Sequence, residues 1–462
     1  MTVRYLAVLA LTLATTAHAQ TFSFSAAAVD GENGVDGLDG PFRVAVSPED
    51  THVYVPGGGD KAVARFSRDA GTGVLTFLGA TAGGDLGNLD DPTSIAVSPD
   101  GKHIYIGDFQ NRLIVASRDA ASGALAFVEA FTDGEGGVDG LLGPIETIVS
   151  PDGGHVYVSG RDENEIAIFS RDAGSGALTF VGAEAGPSQP RGLAFSPDGA
   201  TLYITSSDNG GVVYAYARNA SAGTLTFAAQ VEVADATDIA LSPDGAHLYI
   251  SSSSDTGIHV ASTIPGGDSR FPIIESLSTP DLSSPQSVVV APNGQAVYVG
   301  GGFKVGEFTR DPSTGKLTFV AAIVGGSGGA TGLSGIRDIT LSADGRSLYT
   351  VASVSNALAT FSTPNAVSSA DGPAVAAGAL EVFPNPSASS QARVRLTMDE
   401  PGPLELALYD VVGRRLAVLF SGDVASGQSV EAALPSRLAA GVYLLRVEGS
   451  PSGPSTRVVV SR

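Results

Sequence analysis

The chain contains no cysteine, which excludes disulfide frameworks, zinc-thiolate sites and thiol nucleophiles together. Lysine is nearly missing too, with only Lys61, Lys102, Lys304 and Lys316 among 462 residues. Against 26 lysines and arginines stand 48 acids, for a net charge of −22. Such a surface repels nucleic acid, so no nucleic-acid partner is expected, and it favours solvation, cations or cationic partners. The excess is uneven: residues 380–462 hold eight acids and eight arginines, and the imbalance lies upstream. Long apolar runs are also missing. Residues 1–19 combine Arg4, an apolar stretch from Tyr5 to Leu13 and Ala17-His18-Ala19 before Gln20, the pattern of a secretory signal peptide. Beyond it no stretch reaches the roughly 18 apolar residues of a spanning helix, so no transmembrane segment is expected after signal cleavage.

What the chain does have is a repeated phrase. A Ser-Pro-Asp-Gly tetrad or a close variant begins at Ser47, Ser98, Ser150, Ser196, Ser242, Ala291 and Ser342, seven copies spaced 46 to 52 residues apart. A period near fifty marks a repeat architecture. Proline presets φ, aspartate bonds its own backbone and glycine accepts positive φ, so each tetrad reads as a tight turn between two strands. The strand before it is short and apolar, as in Ile95 to Val97. The strand after it carries a tyrosine in every copy: Tyr54, Tyr105, Tyr157, Tyr203, Tyr249, Tyr298 and Tyr349. An aromatic at one register predicts a packing layer. A third strand such as Val63 to Arg68, a turn such as Asp69-Ala70-Gly71-Thr72-Gly73 and a fourth strand such as Val74 to Leu78 complete an antiparallel meander.

Seven four-stranded units fit a β-propeller, whose blades stand round a central channel. The seventh unit stops after its third strand (Ala357 to Ser362), while Thr21-Phe22-Ser23-Phe24-Ser25 stands alone before the first. The N-terminal strand is expected to fill that vacancy and close the ring. The chain therefore reads as all-β. A seven-bladed β-propeller over 20–362 and a small-residue linker over 363–379 lead into a small immunoglobulin-like β-sandwich over 380–462, where short alternating strands recur between turn signals.

That last module carries Pro384-Asn385-Pro386, Leu408-Tyr409-Asp410-Val411-Val412-Gly413-Arg414-Arg415, Leu438-Ala439-Ala440-Gly441-Val442-Tyr443 and a terminal strand ending Val458-Val459-Val460-Ser461-Arg462. In that order it resembles the type A sorting domain of the type IX secretion system. The resemblance implies the type IX machinery as partner of residues 380–462, and delivery to the outer-membrane surface or the medium. Within the repeats, the Ser-Pro-Asp-Gly-x-x-Val-Tyr-Val hairpin and the Arg-Asp-x-x-x-Gly-x-Leu-Thr-Phe hairpin (Arg68 to Phe77, Arg171 to Phe180, Arg310 to Phe319) resemble those of lactonase-type seven-bladed propellers. That superfamily includes 6-phosphogluconolactonase and muconate-cyclising relatives, so lactone hydrolysis is an implied activity. Both hairpins are scaffold, and scaffold alone carries no chemistry.

In a propeller the loops converge at the channel mouth. Four residues before each turn stand Arg43, Ser94, Glu146, Gly192, Asp238, Ser287 and Asp338, a polar ring that varies among blades. The mouth is thus the candidate pocket. Glu146 is the candidate base and Arg191 the candidate oxyanion partner for lactone hydrolysis, with Arg43, Asp238, Arg337 and Asp338 as binding residues. The resemblance implies a His–Arg pair at such a strand start, but Pro190-Arg191-Gly192-Leu193 has glycine where that histidine would stand. His52, His103, His155 and His247 share one repeat position and read as structural. A second candidate is calcium, for which carboxylates on glycine-rich loops are suited. Asp30, Glu32 and Asp36 supply one such loop and Asp133, Glu135 and Asp139 another, although Gly325 to Gly335 keeps the same frame with no acid. Runs such as Gly57-Gly58-Gly59 lead into strands, so no helix N-terminus is available for a nucleotide phosphate. Three functions fit: a surface or secreted binding or scaffold module for a small-molecule, glycan or protein ligand; a lactone hydrolase; and a purely structural envelope protein.

Overall fold

The computed structural model describes residues 22–364, apart from 208–209, 255–256, 264–269, 279–281 and 283, and beyond them seven strands between 380 and 460 with residue 434. The signal peptide, most of the linker, and the Pro384-Asn385-Pro386, Asp410 to Arg414 and Leu438 to Ala440 portions of the C-terminal motifs lie outside the described residues. The chain divides into two compact units, Met1–Ala366 and Val367–Arg462.

The first unit is a seven-bladed β-propeller. Six blades are consecutive four-stranded antiparallel sheets spanning residues 45–82, 92–132, 144–185, 190–232, 236–278 and 285–324. The seventh spans 336–362, and Ser23–Val29 pairs antiparallel with Ala357–Ser362 as its outer strand, Ser23 opposite Ser362 and Val29 opposite Ala357. The ordered strand runs four residues beyond Ser25, where the apolar spelling of the N-terminal segment had suggested an end. First strands of neighbouring blades touch all the way round, so they line the channel.

The repeated tetrad makes its turn by satisfying itself. In blade 2 the Gly101 amide donates to the Ser98 carbonyl at 2.8 Å, the Ser98 hydroxyl donates to Asp100 at 2.6 Å, and the His103 amide donates to the Ser98 hydroxyl at 3.0 Å. Gly101 sits at φ +70°, where a side chain would be strained.

The repeated tyrosine is both packing layer and hinge point of a staple between blades. Six of the seven are wholly buried and Tyr203 is nearly so. The Arg171 Nε of blade 3 donates to the Tyr105 hydroxyl of blade 2 at 2.6 Å, and its Nη2 donates to both Asp100 oxygens at 3.0 and 2.8 Å. The same guanidinium meets His103 Nδ1 at 3.0 Å. Because a guanidinium only donates, that nitrogen accepts and the imidazole is neutral. Arg68, Arg118, Arg218 and Arg310 repeat the arrangement on Tyr349, Tyr54, Tyr157 and Tyr249. The four histidines are therefore structural, and burial first, then the adjacent arginine, pushes each below the usual imidazole range. At the two remaining seams threonine stands in the arginine register, Thr263 and Thr363, and an aromatic ring substitutes: Phe271 lies 5.8 Å from Tyr203 and Phe22 lies 5.2 Å from Tyr298.

The second unit contains a three-stranded sheet (Leu380–Phe383, Arg393–Thr397, Ser429–Ala433) and a four-stranded sheet (Arg415–Val424, Gly402–Tyr409, Gly441–Glu448, Ser455–Val460), both antiparallel. Val394, Leu406, Leu408, Leu434 and Leu445 are buried. Ser429–Ala433 is a strand that alternation alone does not single out.

Candidate functional site

Six of the seven first strands break register at the same place. The ladder slips between Pro92 and Ser94, Pro144 and Glu146, Pro190 and Leu193, Ala236 and Asp238, Pro285 and Ser287, and Ile336 and Asp338. A bulge leaves a residue unpaired and re-aims its side chain. Here the residues released are Thr93, Ile145, Arg191, Thr237, Gln286 and Arg337, and Phe42 stands at the corresponding position of blade 1. In blades 2 and 5 the bulge threonine ties the next blade, Thr93 donating to the Pro144 carbonyl at 2.6 Å and Thr237 to the Pro285 carbonyl at 3.0 Å.

Phe42, Ile145, Arg191 and Arg337 instead face a cavity of about 270 Å³, whose lining Arg161 and Ser207 complete. Three guanidinium groups thus share one opening. The Arg337 Nε donates to the Ser353 hydroxyl at 2.8 Å, and its guanidinium stands 5.6 Å from the centre of the Phe42 ring. Arg161 and Arg191 make no side-chain hydrogen bond or ion pair among the described residues. Burial, then the like charge of Arg43, holds Arg191 down to about 10, with Arg161 and Arg337 adding to the repulsion and Asp238 opposing it.

Beneath the cavity lies the ring that starts one residue later. The Arg43 Nε donates to Glu146 at 2.6 Å, joining blade 1 to blade 3. Arg43 is 5% exposed, and its Nη2 is buried with no hydrogen-bond partner among the described residues. Ser287 sits between two carboxylates, 2.8 Å from Asp238 and 3.0 Å from Asp338. Asp238 also accepts the Val288 amide and Asp338 the Val44 amide, each at 3.0 Å. Burial pushes the Glu146 carboxyl up to about 7; Arg43 opposes this, while Asp338 and Asp238 reinforce it. The same balance, burial first, puts Asp338 at about 6. Burial works against the Arg43 cation, but the surrounding Glu146, Asp338 and Asp238 outweigh it and raise its pKa.

The structure therefore divides the charged residues read from the sequence into two tiers. Arg191 and Arg337 reach the cavity, whereas Arg43, Glu146, Asp238 and Asp338 form the floor. Glu146 is engaged by Arg43, and no hydrogen bond joins it to Arg191 among the described residues. Arg161, Phe42, Ile145 and Ser207 were missed. Arg161 and Ser207 follow the second strands of blades 3 and 4, a repeat position that Ser353 fills in blade 7. Comparing copies there would have found Arg161. The cluster also reverses the sign expected from the whole chain, since the mouth is cationic on an acidic protein.

The acidic loops come together differently from their sequence grouping. Asp30 and Asp36 meet Asp60, and Asp133 and Asp139 meet Glu163, with one oxygen of each within 4.8 Å of the others. Glu32 and Glu135 are not in these groups. Asp30 accepts the Leu38 amide at 3.0 Å and Asp60 the Asp39 amide at 2.8 Å; Asp133 and Glu163 do the same for Leu141 and Leu142 at 3.0 and 3.2 Å. With oxygens already committed to the loop, each trio offers few of the six to eight that calcium takes. In blade 7 the frame recurs without acids: Gly326 donates to the Ala330 carbonyl at 2.8 Å as Gly31 does to Val35 at 3.0 Å, and Ser355 accepts the Ser334 amide at 3.2 Å where Asp60 and Glu163 act elsewhere.

A family profile described as "Lactonase, 7-bladed beta-propeller" matches residues 92–237, which carry blades 2 to 4. The propeller is lactonase-like. Solved structures agree on the fold. A Bacteroides uniformis protein provisionally named 6-phosphogluconolactonase is 21% identical with a TM-score of 0.53, covering 65% of this chain and 88% of its own. The Pseudomonas aeruginosa periplasmic gluconolactonase is 21% identical with a TM-score of 0.52, covering 62% and 86%. The Kuenenia stuttgartiensis hydrazine synthase, at 20% identity and a TM-score of 0.55, covers 73% and 99%. At such identities the likeness extends to the fold alone. No protein of curated function matches the chain. The lactonase-like propeller thus places two of its three cavity arginines, Arg191 and Arg337, on bulges that repeat round the ring, and the third, Arg161, just after the second strand of blade 3.

Proposed function

We propose that this chain is an exported β-propeller that binds a small anionic ligand, such as a sugar acid, at its channel mouth. The observation that carries this is the convergence of Arg161, Arg191 and Arg337 on one cavity whose lining includes no carboxylate, in a chain where acids outnumber bases 48 to 26. Guanidinium groups present planar donor pairs that match carboxylate and phosphate oxygens. A bound anion also offsets the burial and the like charges that together depress Arg191. Phe42 and Ile145 supply the apolar wall that such pockets use beside a few placed polar groups. The signal peptide and the sorting-domain motifs over 380–462 support delivery by type IX secretion to the cell surface or the medium, with an immunoglobulin-like sandwich as the address. Calorimetric titration of the full-length chain with D-gluconate tests the reading. Saturable binding that is lost in Arg191→Ala is expected, and no heat with any of several sugar acids would end it.

One observation favours lactone hydrolysis as a second reading. The Glu146 carboxyl, pushed up to about 7 under the cavity, is tuned where a general base for water works best. Water would add to the lactone carbonyl as Glu146 takes its proton, Arg191 would steady the oxyanion, and ring opening would return the proton to the leaving alkoxide. The fold likeness to named lactonases supports this reading, and the Arg43 pair that already holds Glu146 weighs against it. Hydrolysis of sugar and aromatic lactones by the intact chain, abolished in both Glu146→Gln and Arg191→Ala, would establish it; an inactive chain across the panel leaves the binding reading.

A further inference from the structure

The floor of the mouth gathers more carboxyl groups than cations. Glu146, Asp238 and Asp338 share one cation, Arg43. Ser287 has a single hydroxyl hydrogen, yet its oxygen lies 2.8 Å from Asp238 and 3.0 Å from Asp338, and it also accepts the Ile339 amide at 3.2 Å. If the hydroxyl donates to Asp238, the short contact with Asp338 needs a proton on the Asp338 carboxyl, donated back to Ser287. Placed together, these side chains make a compartment built to hold a proton.

Three of the four floor residues are chain neighbours of cavity residues: Arg43 follows Phe42, Glu146 follows Ile145 and Asp338 follows Arg337. An anion entering the cavity is a like charge for the carboxylates one residue away. We propose that the mouth takes up its anion together with a proton, held by the Glu146 and Asp338 carboxyl groups beneath the cavity. The proposal rests on the anion-binding reading and concerns how that same site is regulated. The charged groups acting on Glu146 are Arg43, Asp238 and Asp338, and those acting on Arg191 are Arg43, Asp238, Arg161 and Arg337. The arginines stay protonated near neutrality, so the carboxyls are the groups left to titrate. Their upward shift, to about 7 and about 6, places the exchange near neutral pH.

The sign follows from linkage. A bound anion raises the carboxyls' hold on their proton, so protonation and binding favour each other, and affinity rises as pH falls. The test is calorimetry on the full-length chain with sulfate and D-gluconate, which do not themselves titrate between about pH 5.5 and 8.5. Titrations run in two buffers of different ionisation enthalpy count the protons exchanged. About one proton taken up per anion near pH 7 is expected, with affinity increasing by up to about tenfold per unit fall in pH. Glu146→Gln and Asp338→Asn should each flatten that profile. Should either variant misfold, the proton count on the unaltered chain still decides. Anion binding with no pH dependence and no proton exchange overturns this inference and leaves the anion reading standing, whereas no binding at any pH overturns both.

Discussion

Replacing Arg171 by methionine removes one inter-blade staple while keeping side-chain length and apolar stem. The change deletes the bonds to Tyr105, Gly153, Asp100 and His103 at the seam between blades 2 and 3. Breaking a buried ion pair commonly costs about 3–5 kcal/mol, but the Asp100 side chain is 29% exposed and regains water. Tyr105 keeps its bond to the Gly176 carbonyl at 3.1 Å. A loss of about 2–3 kcal/mol is therefore expected, lowering the propeller transition by on the order of 5 °C in a thermal melt followed by circular dichroism. Arg171→Lys should not restore it, because an ammonium cannot span tyrosine, carboxylate and imidazole at once. The acid limb gives a second signature. Burial pushes the Asp100 carboxyl up, but the hydrogen bonds from Arg171 and Ser98 outweigh it and hold it down to about 2. A carboxyl depressed in the fold stabilises above its ordinary pKa near 4, and that contribution is lost as pH falls through about 2. The variant should thus lose less stability than the parent between those values. A melting temperature unchanged at neutral pH would refute the staple argument.

Further expectations come from the same contacts. A Cβ at Gly176 would lie 2.1 Å from the His103 ring, at φ +75°, so Gly176→Ala should destabilise by more than about 2 kcal/mol in urea unfolding, and an unchanged midpoint would show that the seam yields. Chelation should leave the melting temperature unchanged, since the acid-free loop of blade 7 keeps the same backbone bonds; a fall of several degrees would restore calcium to the acidic loops. Deleting residues 380–462 should trap the propeller in the periplasm on cell fractionation, and normal surface delivery of the shortened chain would remove the sorting proposal.

The propeller was legible because its signals are local and repeated. Seven turns, seven tyrosines and one orphan strand sit at fixed offsets, and each offset corresponds to a packing contact in the ring. The staple was half visible: the arginine that opens Arg-Asp-x-x-x-Gly was in plain sight, but its tyrosine and acid belong to the previous blade, some sixty residues away, and only the fold joins them. The mouth was harder to read. Counting back from each turn reached Glu146, Asp238 and Asp338, yet a strict strand alternation does not anticipate the bulge that sends Arg191 and Arg337 into the cavity and leaves the carboxylates as floor. Arg161 lay in a turn between strands, where its acidic neighbours Asp162 and Glu163 made it resemble a solvated charge.

The most direct test of the central claim is an anomalous difference map from a crystal of the full-length chain soaked in selenate, a tetrahedral dianion. A selenium peak within hydrogen-bond reach of at least two of Arg161, Arg191 and Arg337 is expected. A mouth with no peak, in a crystal that shows selenate elsewhere, would contradict it.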